Sequence, residues 1–317
     1  MMLNNRRAFI TGLRSTSLSQ NEKKFLKKYK PWGVILFSRN IKSFKQLKTL
    51  VDSIKKIFDD SNYPILIDEE GGRVNRLKKL FDTRIFTGKF FGDLYVKDKR
   101  KFNLYYRIYI RQISFILKSL GININTVPVL DIRRSSSHNI IGDRSFSSNK
   151  TVVSKVGDFC INQFKINKIG SVIKHIPGHG LAKSDSHKNT PIVNEKIHQL
   201  LKKDFYAFKN KNCFFAMTAH IIYKDIDKTN PATHSKKIID IIRNKIKFRN
   251  ILMSDDISMG GLKHSIEKNT IRAFSAGCNL VLHCNGNMKE MNIVAKNSPK
   301  ISKFIITKTS QFYKVIM

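Results

Sequence analysis

Short apolar runs alternate with amphipathic, lysine-rich segments along most of this 317-residue chain. The first clear run, WGVILF at 32–37, has no polar side chain, as expected of a strand that is buried on both faces of a parallel sheet. The segment that follows, 43–59, repeats apolar residues at the three- and four-residue spacing of a helix. Further strands are predicted at 63–68, 122–132, 170–175, 213–220, 251–254, 279–284 and 304–307.

About eight strand–helix units predict an α/β fold, and specifically a single (β/α)8 barrel domain over residues 1–317. A doubly wound open sheet is the alternative. However, no GxGxxG sequence follows the first predicted strand, which disfavours a dinucleotide-binding fold. Because the chain ends soon after 304–307, we expect a short or incomplete last helix.

Polar residues stand where the predicted strands end. They are Arg39, Asp68, Asp131, Lys174, His175, His220, Asp255, Cys284 and Asn285. In a (β/α)8 barrel the carboxyl ends of the strands form one rim, and that rim carries the active site. The pattern therefore predicts an enzyme.

The formal net charge of +36 is the most unusual feature of the composition. Such a charge is consistent with nucleic-acid binding, but the lysines are scattered in pairs and no nucleic-acid-binding signature is present. We interpret them as solvent-facing lysines and do not expect a nucleic-acid partner. The sequence has no run of the ~20 apolar residues that cross a membrane and no secretory signal. Its four cysteines lack CxxC spacing. We expect a cytoplasmic, monomeric protein without a cofactor.

Residues 174–191, KHIPGHGLAKSDSHKNTP, hold three of the nine histidines. Their composition predicts an irregular loop, and long loops inside compact domains are usually functional. A metal site is one interpretation, but HxH and HExxH spacings are absent, and Pro-Gly between His175 and His179 prevents a helical pair of ligands. We therefore expect no metal, and a structural role for His179.

Asp185 and His187 are two residues apart, so in an extended loop both side chains point to the same side. The carboxylate is then able to accept a hydrogen bond from the imidazole, fix its tautomer and stabilise its charged form. That arrangement suits a proton donor near neutral pH. A solvated pair without a catalytic role is the alternative.

Asp255 follows the apolar run ILMS, where an aspartate serves as a nucleophile, a metal ligand or a helix N-cap. Adjacent residues of an extended segment point to opposite sides, so Asp255 is able to face a site while Asp256 makes structural bonds. Earlier in the chain, Asp68 and Arg76 belong to DEEGGRVNR, and Arg144 belongs to IIGDRSF. A carboxylate and guanidinium groups at a rim suit a polyhydroxylated or anionic ligand, while a buried Asp–Arg ion pair that holds the loop remains the alternative for Arg73.

Several motifs, in order along the chain, resemble family 3 glycoside hydrolases, and most of all the bacterial β-N-acetylhexosaminidases of peptidoglycan recycling. They are IDEEGGRVNRL (67–77), PVLDI (128–132), IGDRSF (141–146), KHIPGHG (174–180), DSHKNTP (185–191), TAHIIY (218–223) and SDDISMGG (254–261). The resemblance implies a retaining exo-β-N-acetylglucosaminidase that removes terminal N-acetylglucosamine (GlcNAc) from muropeptides. It implies that Asp255 is the nucleophile, His187 the general acid/base and Asp185 its partner.

The same resemblance implies that the terminal sugar is bound by Asp68, Arg76, Arg144, Lys174 and His175. The sequence departs from the family at Glu69, where glutamine is usual, and we expect an additional carboxylate near the sugar. A phosphorylase with the same fold and the same dyad is one alternative function. A non-catalytic binder of nucleic acid or cell-wall fragments is another, although Asp185, His187 and Asp255 are all present.

Overall fold

The computed structural model describes residues 3–134, 140–182, 184–186 and 189–317. Its strands are β1 (Arg7–Gly12), β2 (Pro31–Leu36), β3 (Ile65–Ile67), β4 (Glu69–Gly71), β5 (Val74–Asn75), β6 (Ile124–Asn125), β7 (Gly170–Ile176), β8 (Ile192–Val193), β9 (Phe215–Thr218), β10 (Ile222–Tyr223), β11 (Ile251–Asp256) and β12 (Leu280–His283). Its α-helices are α1 (Gln20–Tyr29), α2 (Phe44–Phe58), α3 (Gly88–Lys97), α4 (Lys99–Leu120), α5 (Lys150–Ile166), α6 (Ile197–Lys202), α7 (Lys236–Asn244), α8 (Ile266–Ala276), α9 (Met288–Asn297) and α10 (Lys303–Ile316).

Eight parallel strands close into a barrel in the order β1-β2-β3-β6-β7-β9-β11-β12, with β12 paired to β1. Two small sheets, β4 with β5 and β8 with β10, lie outside the barrel. The (β/α)8 barrel predicted from the sequence is confirmed. Within the described residues, no helix combines the length and apolar character needed to cross a lipid bilayer.

Two layers of apolar side chains account for the alternation of the sequence. The outer layer lies between the strands and the surrounding helices, and includes Phe9, Val34 and Ile173. The inner layer fills the barrel, and includes Ile10, Leu66 and Val172. Because both faces of each strand are covered, the strands are apolar throughout.

The first and last strands of the predicted barrel need correction. The strand predicted at 304–307 is wrong, because this segment is the first turn of α10. A short apolar run does not distinguish a strand from a buried helix. The eighth strand is instead β1, near the N-terminus. The number of strands was right because one strand was missed and one was assigned in error.

The last helix, α10, has 14 residues and is not short or incomplete as expected. It closes the amino-terminal end of the barrel. The Trp32 indole N–H donates to the Thr309 hydroxyl (2.9 Å), and Phe312 packs edge-to-face on Phe215. Tyr313 donates its hydroxyl to Asp60 (2.9 Å). One end of the barrel is thereby filled, and the carboxyl-terminal rim is left for a ligand.

Candidate active site

A cavity of about 340 Å³ opens at the carboxyl ends of the barrel strands. Its volume lies at the lower end of the range of about 300–1,000 Å³ that is typical of small-molecule sites. Its lining residues are Ile35, Asp68, Glu70, Arg73, Val74, Arg76, Ile140, Arg144, Lys174, His175, Met217, Asp255, Leu282 and Cys284. Six of the eight site residues predicted from the sequence are therefore together.

The other two predicted residues belong to the loop after β7. His187 lies outside the described residues. Asp185 lies within them but is not among the residues that line the cavity. Its neighbour Ser186 accepts the Gly261 N–H on its backbone carbonyl (2.8 Å), and a Cβ at Gly261 would approach that oxygen to 2.5 Å. The loop after β7 thus contacts the loop that follows Asp255 and β11.

Asp68 accepts hydrogen bonds from two cations and a hydroxyl group. Arg76 approaches one carboxylate oxygen at 3.0 Å and Lys174 the other at 3.2 Å, and the Thr126 hydroxyl also donates to it. Burial acts to raise the pKa of Asp68, but Lys174 and Arg76 hold it far below its usual value. Asp68 is therefore ionised at any physiological pH.

Glu70 is a cavity residue that the sequence reasoning missed. Its carboxylate receives Lys174 Nζ at 2.7 Å and both Arg144 Nε and Nη2, at 2.8 and 2.9 Å. Burial opposes the charge, yet Arg144 and Lys174 lower the pKa of Glu70 to about 2. The alternation of an extended segment could have indicated this position, because Asp68 and Glu70 are two residues apart and share a side.

Glu69 is not the additional carboxylate near the sugar that we expected, because the same alternation turns its side chain away from Asp68 and Glu70. Glu69 is buried away from the cavity, where it accepts the backbone N–H groups of Arg76 (2.9 Å) and Leu77 (3.0 Å) and the Thr83 hydroxyl (3.0 Å). Burial is the dominant effect and raises the pKa of Glu69 to about 7. Glu69 supports the loop that presents Arg76.

Lys174 and His175 lie near the carboxyl end of β7 with a cis peptide bond between them, and both line the cavity. His175 Nδ1 lies 2.6 Å from a carboxylate oxygen of Asp131, which is completely buried. Asp131 also accepts the backbone N–H groups of His175 (3.2 Å) and His179 (2.6 Å). Burial acts to raise the pKa of Asp131, but His175 lowers it below the usual value. An ionised carboxylate only accepts, so Nδ1 of His175 carries a proton.

His179 is buried with its backbone bound to Asp131, and its Nε2 lies 3.1 Å from the Ser186 hydroxyl. Burial, with a contribution from His175, lowers its pKa to about 4. It is not among the cavity residues, which agrees with the structural role expected for it. In the described part of the chain, no group of three or more His, Cys, Asp or Glu side chains is placed to hold a metal ion.

Asp255 faces the cavity and Asp256 makes structural hydrogen bonds, as predicted from the alternation of an extended segment. Asp255 lines the cavity, whereas Asp256 accepts from the Ser258 backbone and hydroxyl (3.0 and 2.8 Å) and from the Cys284 N–H (3.2 Å). Burial acts to raise the pKa of Asp255, but His175 and His220 lower it below the usual value. The cavity therefore contains an ionised carboxylate at the end of β11.

Arg73 also lines the cavity, and its Nε lies 3.3 Å from Asp143. Both side chains are 41% exposed, so the ion pair considered for Arg73 is present but is not buried. Cys284, half-buried, lines the cavity, whereas Cys160, Cys213 and Cys278 are buried as expected of small apolar side chains.

Comparison with known proteins agrees with the fold and identifies the family. Residues 7–309 match the model of the glycosyl hydrolase family 3 N terminal domain. The chain is 32% identical over 288 residues to a β-hexosaminidase of Methylobacillus flagellatus, covering 88% of this chain and 81% of that protein. It is 34% identical over 281 residues to a β-hexosaminidase of Nitrosomonas eutropha, covering 85% of this chain and 78% of that protein.

Among solved structures, NagZ from Neisseria gonorrhoeae in complex with N-trifluoroacetyl-D-glucosamine superposes with a TM-score of 0.87 at 27% identity. The match covers 97% of this chain and 90% of that one. The chain belongs to glycosyl hydrolase family 3. Within that family it is a β-hexosaminidase, and the non-catalytic binder considered above is excluded.

Proposed function

We propose that this β-hexosaminidase is a retaining exo-β-N-acetylglucosaminidase of peptidoglycan recycling, built as a single barrel domain. Its substrates would be fragments that carry a terminal non-reducing GlcNAc, such as GlcNAc–1,6-anhydro-MurNAc peptides. The observation that carries the proposal is the cavity in which Asp255 lies with Asp68, Arg76, Arg144, Lys174 and His175.

The charges of the cavity favour a neutral, polyhydroxylated ligand. The cations Arg76, Arg144 and Lys174 lie against the carboxylates of Asp68 and Glu70. Paired groups of this kind offer fixed donors and acceptors to sugar hydroxyls. Because these cations are already paired, the arrangement favours hydrolysis by water over the phosphorylase alternative, which needs a cation for phosphate.

In the proposed mechanism Asp255 attacks the anomeric carbon and forms a covalent glycosyl-aspartate. The lowered pKa of Asp255 supports this role, because a nucleophile must be ionised. His187, oriented by Asp185, protonates the leaving oxygen and then deprotonates the water that releases the sugar from Asp255. The contact of Ser186 with Gly261 supports this assignment, because it joins the histidine-bearing loop to the loop after Asp255.

Hydrolysis of a chromogenic aryl β-GlcNAc tests the proposal in three variants. Loss of an acid/base lowers the rate by about 10²–10⁴, so His187→Gln should lose that much and Asp255→Asn at least as much. Asp240→Asn, the same change on the exposed side of α7, is the matched control and should retain full activity. A substrate whose leaving group needs no proton should partly restore His187→Gln alone.

Equal rates for Asp255→Asn and Asp240→Asn would contradict the assignment of the nucleophile. Rescue of neither variant by the better leaving group would contradict the separate roles of His187 and Asp255. Sugar phosphate formed in phosphate buffer would establish the phosphorylase instead.

A further inference from the structure

Helix α4 carries an apolar stripe on its outer surface. Leu104, Ile108 and Phe115 are 55%, 48% and 64% exposed. Their spacing of four and seven residues places them in one line along the helix. The inner face of α4 is separately packed into the core, through Phe102, Tyr106, Ile110, Ile113, Leu117 and Leu120. A row of large apolar side chains on a solvent-facing helix marks an interaction surface.

Basic residues accompany the stripe. Helix α4 contains Lys99, Arg100, Lys101, Arg107, Arg111 and Lys118, and no acidic residue. At 3.6 residues per turn, Arg107, Arg111 and Lys118 fall along one edge of the stripe. The acidic N-cap, Asp98, lies 4.0 Å from Lys101 at the helix start and leaves that edge cationic. The surface therefore combines an apolar line with a cationic border.

We propose that this face of α4 binds in the plane of an anionic lipid surface. In such binding the apolar side chains enter the boundary between headgroups and acyl chains, while arginine and lysine contact phosphate groups. The net charge of +36 adds long-range attraction to the same surface. A second copy of the chain would bring two cationic faces together, and nucleic acid offers no apolar layer for the stripe.

Co-sedimentation of the full chain with phosphatidylcholine vesicles, with and without phosphatidylglycerol, tests the proposal. Binding is expected only with phosphatidylglycerol and should weaken as salt screens the charges. Removing one basic residue near an anionic surface lowers the partition coefficient about fivefold. The double variant Arg107→Gln/Arg111→Gln should therefore bind about 25-fold more weakly. The matched pair Lys236→Gln/Lys237→Gln, with the same charge change on exposed positions of α7, should bind nearly as the wild type does.

The stripe itself is tested by Ile108→Ser/Phe115→Ser against Ile85→Ser/Ile166→Ser, two exposed apolar residues outside α4. Only the first pair should lose vesicle binding. All variants should hydrolyse the chromogenic substrate normally, which reports an intact fold. Equal losses in the two charge pairs, or in the two apolar pairs, would overturn the proposal. So would the absence of binding to anionic vesicles, or an α4 dependence seen only in self-association or in binding of duplex DNA.

Discussion

Asp131→Asn should disturb the active site without removing any residue that lines its cavity. The carboxylate of Asp131 receives three donors, Nδ1 of His175 and the backbone N–H groups of His175 and His179. An asparagine offers one oxygen and one NH₂ group in the same space. If its oxygen keeps the backbone donors, its NH₂ faces Nδ1 of His175. The imidazole then loses the proton from Nδ1 and carries one on Nε2.

Two measurable losses follow from this exchange. A charge-assisted hydrogen bond is replaced by a neutral one in a fully buried place, which costs about 1–3 kcal/mol. For a chain of 317 residues, the midpoint of thermal unfolding should fall by about 1–2 °C for each kcal/mol. The changed tautomer should lower kcat/KM by about 10- to 100-fold, taking as a guide the loss seen when the carboxylate partner of a metal-bound imidazole is removed.

The assay is kcat/KM on the chromogenic β-GlcNAc substrate, with the melting temperature of the same samples. The control is Asp240→Asn, the same change on the exposed side of α7. A substitution at an exposed position usually changes the free energy of unfolding by no more than about 0.5 kcal/mol, and Asp240 does not line the cavity. If Asp131→Asn matched the control in both measurements, the argument that Asp131 fixes the imidazole of His175 would be refuted.

Three further changes test the surroundings of the site. The raised pKa of Glu69, about 7, means that the folded state holds its proton more tightly than the unfolded state does. The free energy of unfolding of the wild type should therefore fall by up to about 3 kcal/mol relative to that of Glu69→Gln as the pH rises from about 4.5 to about 7, measured by urea unfolding. A pH-independent difference would refute this. The pH dependence has the opposite sign for Glu70, because Arg144 and Lys174 lower its pKa to about 2. The stability advantage of the wild type over Glu70→Gln should therefore disappear as the pH falls from about 4.5 to about 2. Trp32→Phe should lower the free energy of unfolding by about 1–3 kcal/mol, because the hydrogen bond to Thr309 and some side-chain volume are lost. It should leave kcat unchanged because Trp32 lies at the other end of the barrel, and a change in kcat would contradict that separation.

The orientation of Asp255 and Asp256 could be predicted from the sequence alone. Neighbouring residues of an extended segment alternate sides whatever the rest of the chain does. The catalytic role of Asp255, with the roles of Asp185 and His187, stays a prediction for the kinetic variants to test. The strand expected at 304–307 failed for a related reason. Four apolar residues carry too short a pattern to separate the strand period from the helix period.

The sequence by itself determined most of the repeated strand–helix units and the polar residues that end their strands, and it favoured a barrel over an open sheet. These follow from periodicity over a few residues, which is a local property. Only the tertiary structure decided which charges meet. Lys174 lies against Asp68, 106 positions away, and Arg144 lies against Glu70, 74 positions away. His175 lies against Asp131, 44 positions away. Such pairs depend on which strands become neighbours in the closed barrel, and no local pattern encodes that.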